Sequence, residues 1–402
     1  MLKVVTLGEI LVEIMADEPG HGFREPLQLV GPFPSGAPAI FIDQVAKLGQ
    51  ACGIIGCVGD DDFGRVNLDR LSHDGVDIKA VEIHPADVTG SAFVRYRDDG
   101  NRDFVFNIKN SACGQLRLTE AALELLGECD HLHVSGASLS SPRMVEMMTR
   151  AIELVKSNGA SVSFDPNIRK EVVRDPDVRA ALEAMLAHCD TFLPSGEELT
   201  LLTRANTPDA AVSEILGLGV TAIVVKNGAK GETYHDADGS RNAPGYRVEE
   251  LDPTGAGDCF GATFVTCRLQ GRSVEESLDY ANASGARAVT IRGPMEGTSS
   301  FAQLDALRSG AWVRHGTRLR DFVSSGGRGV GGELPASPRC ARHIRWWSRL
   351  PCARQPPMRR RCSSRRPVTK SITKVATRVS PRSPSAIRCT TSPTRWGSRA
   401  NR

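Results

Sequence analysis

The stretch Asp252-Pro-Thr-Gly-Ala-Gly-Asp-Cys-Phe-Gly261 sets three small residues, Gly255, Ala256 and Gly257, directly before an acid, Asp258, and then enters an amphipathic helical pattern. Small residues let the backbone approach a bound group, and the N–H groups of a helix's first turn, aided by the macrodipole, attract anions. A carboxylate beside such an anion hole would only repel a phosphate that came to rest there. It becomes useful if it takes the proton of a hydroxyl that attacks a phosphoryl group, so these residue types point to phosphoryl transfer onto a hydroxyl. The plainer alternative for the ten residues is a Gly-rich loop closed by a helix-capping Asp. No G-x-x-x-x-G-K-[ST] occurs anywhere, which excludes a P-loop enzyme.

Such a loop needs a rigid frame. Short β-branched runs at 4–7, 53–58, 131–134, 161–165, 191–194 and 222–226 alternate with helical patterns at 39–48, 64–74, 119–126, 142–157, 176–187, 208–216, 257–270 and 274–289. This alternation predicts βαβ units around a mainly parallel sheet, with ligands bound beyond the carboxyl ends of its strands. Residues 27–31 and 91–108 alternate in strand fashion instead, with a hairpin-type turn at Asp98-Asp-Gly-Asn101. The two insertions, from about 12–34 and 90–110, predict a small β-sheet lid over the strand ends. The expected fold is α/β, one domain over roughly 1–315 carrying that lid.

The net charge of +3 describes neither part of the chain. Residues 323–402 hold 19 Lys or Arg and a single acid, Glu333, whereas the first 322 residues hold 31 basic and 46 acidic residues, the balance of an acidic cytosolic enzyme. Past residue 323 Arg, Ser and Pro dominate, periodicity vanishes, and Trp346, Trp347 and Trp396 occur. One reading is a disordered basic arm for nucleic acid or anionic surfaces. The other, which the near absence of acids favours, is out-of-frame translation of a GC-rich gene; nucleic acid is not the expected partner. The literal G-x-G-x-x-G at Gly327, Gly329 and Gly332 has no strand before it and no helix after it, so it carries no dinucleotide signal. Cys52, Cys57, Cys113, Cys129, Cys189, Cys259 and Cys267 form no Cys-x-x-Cys pair and mostly sit in apolar runs, as reduced core thiols do. The first residues suit a strand rather than a signal peptide. No run of 18 apolar residues suggests a membrane span, so the expected place is the cytoplasm.

Asp252-Pro-Thr-Gly-Ala-Gly-Asp258 resembles the C-terminal signature of the ribokinase-like, or PfkB, carbohydrate kinases. Further matches follow in order: Gly8-Glu-Ile-Leu-Val-Glu13 with the first strand and its sugar-binding acid, Pro34-Ser-Gly-Ala-Pro-Ala39 with the substrate Gly loop, and Ile55-Gly-Cys-Val-Gly-Asp-Asp-Asp-Phe-Gly64 with the segment after the second main strand. Phe164-Asp-Pro-Asn-Ile-Arg169, Pro194-Ser-Gly-Glu-Glu198, Val225-Lys-Asn-Gly-Ala-Lys-Gly231 and Ala281-Asn-Ala283 continue the series. The resemblance covers about residues 1–310 and is nearest to tagatose kinases, fructokinases and 2-keto-3-deoxygluconate kinases.

What the resemblance implies is a Rossmann-like ribokinase fold, often dimerised through its lid, that moves the γ-phosphoryl group of ATP onto a sugar hydroxyl with Mg²⁺. Asp258 then becomes the general base, and Gly255, Ala256 and Gly257 the anion hole. Glu13, Gly36, Asn167 and Arg169 fall on the sugar side, where Arg102 from the hairpin could close over the substrate. Lys226, Gly228, Gly231 and Asn282 fall on the nucleotide side. Glu198 would organise Mg²⁺ through water, and Asp252 and Thr254 match the end of a loop for a monovalent cation, K⁺. Two departures bear on the sugar and the metal. Ser35 and Ile40 replace a Gly and an Asn of the fructokinase Gly loop, and Ser195 replaces the Asn of Asn-x-x-Glu, a gap that a water could fill. The expected substrate is a ketose, tagatose or fructose, with 2-keto-3-deoxygluconate as runner-up. The alternative is a non-catalytic sugar-binding or regulatory relative.

Overall fold

A computed structural model of the chain describes residues 2–20, 22–97, 102–168 and 176–310. The expected turn at 98–101, Arg169 and the basic stretch 323–402 lie outside the described residues. Thirteen strands are described: β1 (Val4–Leu7), β2 (Leu11–Ala16), β3 (Leu29–Ser35), β4 (Cys52–Gly59), β5 (Val81–His84), β6 (Gly90–Tyr96), β7 (Arg102–Asn107), β8 (His131–Ser135), β9 (Ser161–Asp165), β10 (Thr191–Phe192), β11 (Ala222–Lys226), β12 (Glu232–Asp236) and β13 (Gly239–Ala243). Nine of them form one sheet in the order β13-β12-β11-β10-β9-β8-β1-β4-β5. Pairing is parallel from β11 through β5, and at one edge β12 pairs antiparallel with both β11 and β13.

The central strands are buried on both faces, as parallel sheets require: every residue of β1, β4 and β8 is buried. Strand periodicity divides their side chains between two cores. Val5, Leu7, Ile223 and Val225 join a core with α3 (Glu120–Gly127), α4 (Pro142–Ser157), α5 (Pro176–His188) and α7 (Pro208–Gly217). Val4, Ile54, Val58 and Val224 face α1 (Ala37–Lys47), α2 (Asp62–Asp74), α8 (Ala256–Leu269) and α9 (Val274–Ala288) on the other side. The short α6 (Glu198–Leu201) follows β10, and α10 (Phe301–Arg308) packs on α9. Helix starts are written locally: Thr119, Ser141, Thr207, Ser273 and Ser300 accept from backbone N–H groups as N-caps. All seven cysteines named above are buried.

A second sheet, β3-β2-β6-β7, forms from the two alternating insertions. Here β2 and β6 run parallel at the centre, with β3 and β7 antiparallel at the edges. Val12, Met15, Ala92 and Val94 are buried, whereas Leu29, Val105 and Phe106 are exposed.

The structure adjusts several expectations. Glu13 lies on β2 of the small sheet, within the segment 12–34 expected to form the lid, and the first strand of the large sheet ends before Gly8, where the chain turns outward. β10 stops at Phe192, short of Pro194, which has no N–H to give a ladder. β5, the β12–β13 hairpin and α10 were not anticipated. Phe164 sits fully buried against Phe192, with ring centroids 5.8 Å apart. Phe164→Ala is therefore expected to cost about 3–5 kcal/mol of unfolding free energy, read as a lower urea midpoint.

Candidate active site

The parallel strands deliver their chemistry where they end. Glu9 follows β1, Asp165 closes β9, Glu198 begins α6 just after β10, and Lys226 closes β11. Their side chains are all largely buried. Opposite them α8 begins with Gly255 as its N-cap, at φ 79°, and no side chain caps the helix, so its first N–H groups are left for another acceptor. Gly255 has to be glycine twice over: its φ is left-handed, and a Cβ there would meet the Pro294 carbonyl at 2.5 Å. Ile40 packs beneath the same loop, its Cγ2 3.2 Å from that Cβ position. The replacement of the fructokinase Asn by Ile40 thus serves the core under the loop.

Asp258 stands in the first turn of α8, buried. Burial pushes its carboxyl well above the usual range; Asp165, Glu9 and Glu13 add to the rise, and Lys226 opposes it. Lys226 is ion-paired with Asp165. Its ammonium also lies 3.6 Å from the Cβ position of Gly257, so it flanks the uncapped turn. Glu198 is held rigidly, Oε1 accepting from Ile168 N at 2.7 Å and Oε2 from Ser195 N at 2.6 Å. Its carboxyl is raised by burial and by Asp165, with Lys226 opposing. Ser195 thus contributes its backbone N–H to the acid, and this chain's Ser-for-Asn change leaves that contact intact. Glu198 and its neighbour Asp165 are the acids that could hold a divalent cation, which binds through carboxylates and water, beside a Lys226 ammonium that already pairs with Asp165.

The small sheet supplies the other wall. Glu13 is buried; its Oε1 accepts from Ser35 Oγ at 2.8 Å, and its buried Oε2 has no partner. Burial first, then Asp252, raise this carboxyl to about 7, against the Ser35 hydrogen bond and Arg102. Gly36 presses on the Glu9 carbonyl, 2.3 Å from its Cβ position at φ 112°, and this close approach brings Ser35 onto Glu13. Glu9 itself accepts from Ser138 Oγ at 2.6 Å and is raised by burial. Asp252 Oδ1 accepts from Tyr96 Oη at 2.8 Å and Thr254 N at 3.0 Å, and Oδ2 from Gly293 N at 2.9 Å. Arg102 Nη1 donates to Thr254 Oγ1 at 2.7 Å. Here the Asp252 and Thr254 side chains brace the loop ahead of α8 and tie it to the small sheet.

Glu13, Gly36, Arg102, Glu198, Lys226, Asp252, Thr254 and Asp258 are thus brought into one site by direct contacts and mutual charge effects. Asn167 is exposed beside it in a left-handed conformation at φ 43°, with its N–H on Asp165 Oδ1 at 3.1 Å. Gly228, Gly231 and Asn282 lie to one side. Gly231 is fixed by the backbone, since a Cβ would meet the Ala243 carbonyl at 2.0 Å. Asn282 lines a separate cleft with Ala243, Pro244, Gly245, Tyr246 and Asp279. Sequence reasoning passed over Asp165, Glu9 and Tyr96. The first two stand at or just after the ends of central parallel strands, a position that marks ligand sites; for Tyr96 no signal existed.

Residues 1–300 match the profile described as pfkB family carbohydrate kinase. The chain is 31% identical over 315 residues to a probable fructokinase-5 of Arabidopsis thaliana, covering 76% of this chain and 96% of that protein. It is 30% identical over 316 residues to a 2-dehydro-3-deoxygluconokinase of Thermoproteus tenax, covering 76% and 94%. The crystal structure of a putative ribokinase II from E. coli in complex with ATP and Mg²⁺ superposes with a TM-score of 0.73 at 49% identity, over 77% of this chain and 99% of that one.

The Lys226–Asp165 pair is largely withdrawn from solvent, Asp165 buried and Lys226 nearly so, and removing one partner strands the other. Lys226→Met is expected to lower unfolding free energy by about 3–5 kcal/mol, with much of the loss regained in Lys226→Met/Asp165→Leu. Chemical denaturation of the two variants checks this.

Proposed function

The chain belongs to the pfkB family of carbohydrate kinases, and from that premise we propose that it moves the γ-phosphoryl group of ATP onto a hydroxyl of a free, neutral ketohexose of the fructose or tagatose kind. The observation that carries the choice of sugar is Glu13: its Oε2 is buried with no partner, among Glu9, Asp252 and Asp258. A neutral sugar brings hydroxyl donors to such acceptors and no charge of its own. A sugar acid would bring an anion into an acid-rich wall. The second reading, 2-keto-3-deoxygluconate, draws on Arg102 at the rim and Arg169, which could fork onto its carboxylate.

In this reading Asp258 takes the proton of the attacking hydroxyl. The N–H groups of Gly255, Ala256 and Gly257, with the Lys226 ammonium beside them, receive the charge that spreads over the transferring oxygens. Glu198, with Asp165 as neighbour, would hold Mg²⁺ through water; the ion supplies charge neutralisation on the phosphates. Potassium enters only as an activator of the Asp252–Thr254 loop, whose side chains already have partners. The intact base and uncapped helix start support an enzyme over a non-catalytic binding relative. The exposed Leu29, Val105 and Phe106 of the small sheet fit a homodimer through that sheet. Among the described residues no helix is long and apolar enough to cross a membrane, and a cytoplasmic site of action fits this reading.

The ionised form of Asp258 is the base, and its pKa is raised, so activity is lost as pH falls through that raised value and gained above it. Turnover is expected to climb with pH well beyond the ordinary carboxylate range. Asp258→Asn should lose about 10²–10⁴-fold in kcat on fructose or tagatose. Coupled ADP release across pH, on a panel with 2-keto-3-deoxygluconate and ribose, is the test; a fully active Asp258→Asn would remove the assigned base.

A further inference from the structure

The cleft lined by Asn282, about 290 Å³ in volume, opens between the end of β13 and α9. Two of its polar side chains are engaged with one another: Tyr246 Oη donates to Asp279 Oδ1, and Asp279 Oδ2 accepts from Arg308 Nε at 2.6 Å. Asn282 differs. Its amide nitrogen is already engaged, donating to Glu232 Oε1 at 2.7 Å and to the Pro244 carbonyl at 3.0 Å. A carbonyl only accepts, so these contacts fix which end of the amide is nitrogen. The carbonyl oxygen Oδ1 is the end left for the cleft.

Glu232 is a costly way to hold an amide. It is 3% exposed, its Oε2 is buried without a partner, and burial raises its carboxyl to about 8. It also follows Gly231, where a Cβ would meet the Ala243 carbonyl at 2.0 Å. An apolar residue would fill this first position of β12 at lower cost, yet it could not accept from Asn282.

We propose that Glu232 is a positioning residue for nucleotide choice: it holds the Asn282 amide with its oxygen toward the cleft, so that the cleft accepts a purine with an amino group at position 6 and selects ATP over GTP. The inference rests on the kinase reading above, with the nucleotide base seated in this cleft. Adenine presents the N6 amino donor where guanine presents the O6 acceptor. Guanine would set two acceptors face to face, the kind of mismatch that polar sites reject strongly.

The test is calorimetric binding of ATP and GTP, each with Mg²⁺, to the full chain and to Glu232→Gln, Glu232→Leu, Glu232→Ala and Asn282→Ala. The parent should prefer ATP by about tenfold or more, the worth of one well-placed hydrogen bond. Glu232→Gln keeps a side-chain carbonyl for Asn282 and should keep the preference, which a purely space-filling role would not distinguish from Glu232→Leu. Glu232→Leu, Glu232→Ala and Asn282→Ala should lose most of it, and whichever Glu232 truncation folds carries the test. An unchanged ATP preference in that truncation, or a parent that binds both nucleotides alike, overturns the inference and leaves the kinase reading standing. A parent that binds neither nucleotide overturns both.

Discussion

Carboxylates taken out of water repel one another, and this chain gathers Glu9, Glu13, Asp165, Glu198, Asp252 and Asp258 around the carboxyl ends of a single sheet. Two features make the arrangement tolerable. Lys226 supplies a buried positive charge, paired with Asp165 and opposing the shifts of Glu198 and Asp258. The uncapped start of α8 supplies oriented N–H dipoles at the same place. The remaining strain is held as raised proton affinity at Glu9, Glu13, Glu198 and Asp258, the direction that suits a base. Stability and chemistry thus draw on one electrostatic balance, and an incoming divalent cation or phosphate would change both.

The second sheet is wired into that balance. Tyr96 and Arg102 come from adjacent strands of it and bond Asp252 and Thr254, the residues that lead into Gly255. Arg292, from the segment after α9, pairs with Asp17, which follows β2. Movement of the small sheet would therefore act on the anion hole through three side-chain contacts. Glu13 extends the coupling to the substrate wall, since the strand that carries it also pairs with the strand that carries Tyr96.

Much of the frame was legible because its elements obey local rules. α4 was read from Pro142 to Ser157 as it stands, since Ser141 caps it and Pro142 fits the first turn. The buried strands announced themselves as β-branched runs. The β12–β13 hairpin did not, because Glu-Thr-Tyr-His-Asp and Gly-Ser-Arg-Asn-Ala are polar strands stabilised by their pairing at one end of the sheet. α10 was missed although Ser300 and Gln303 form a capping box that the sequence spelled out. In the site, Asp258 and Glu198 stood out by motif. Asp165 and Glu232 acquire meaning only from contacts 61 and 50 residues away in the chain, with Lys226 and Asn282, which no local pattern encodes.

The most direct measurement is the fate of the γ-phosphorus of ATP, followed by ³¹P NMR with the purified chain, Mg²⁺ and fructose or tagatose. The account predicts that the γ signal is replaced by a sugar phosphate monoester in step with the appearance of ADP. Inorganic phosphate as the sole product, or ATP left intact by folded protein with either sugar, would contradict it.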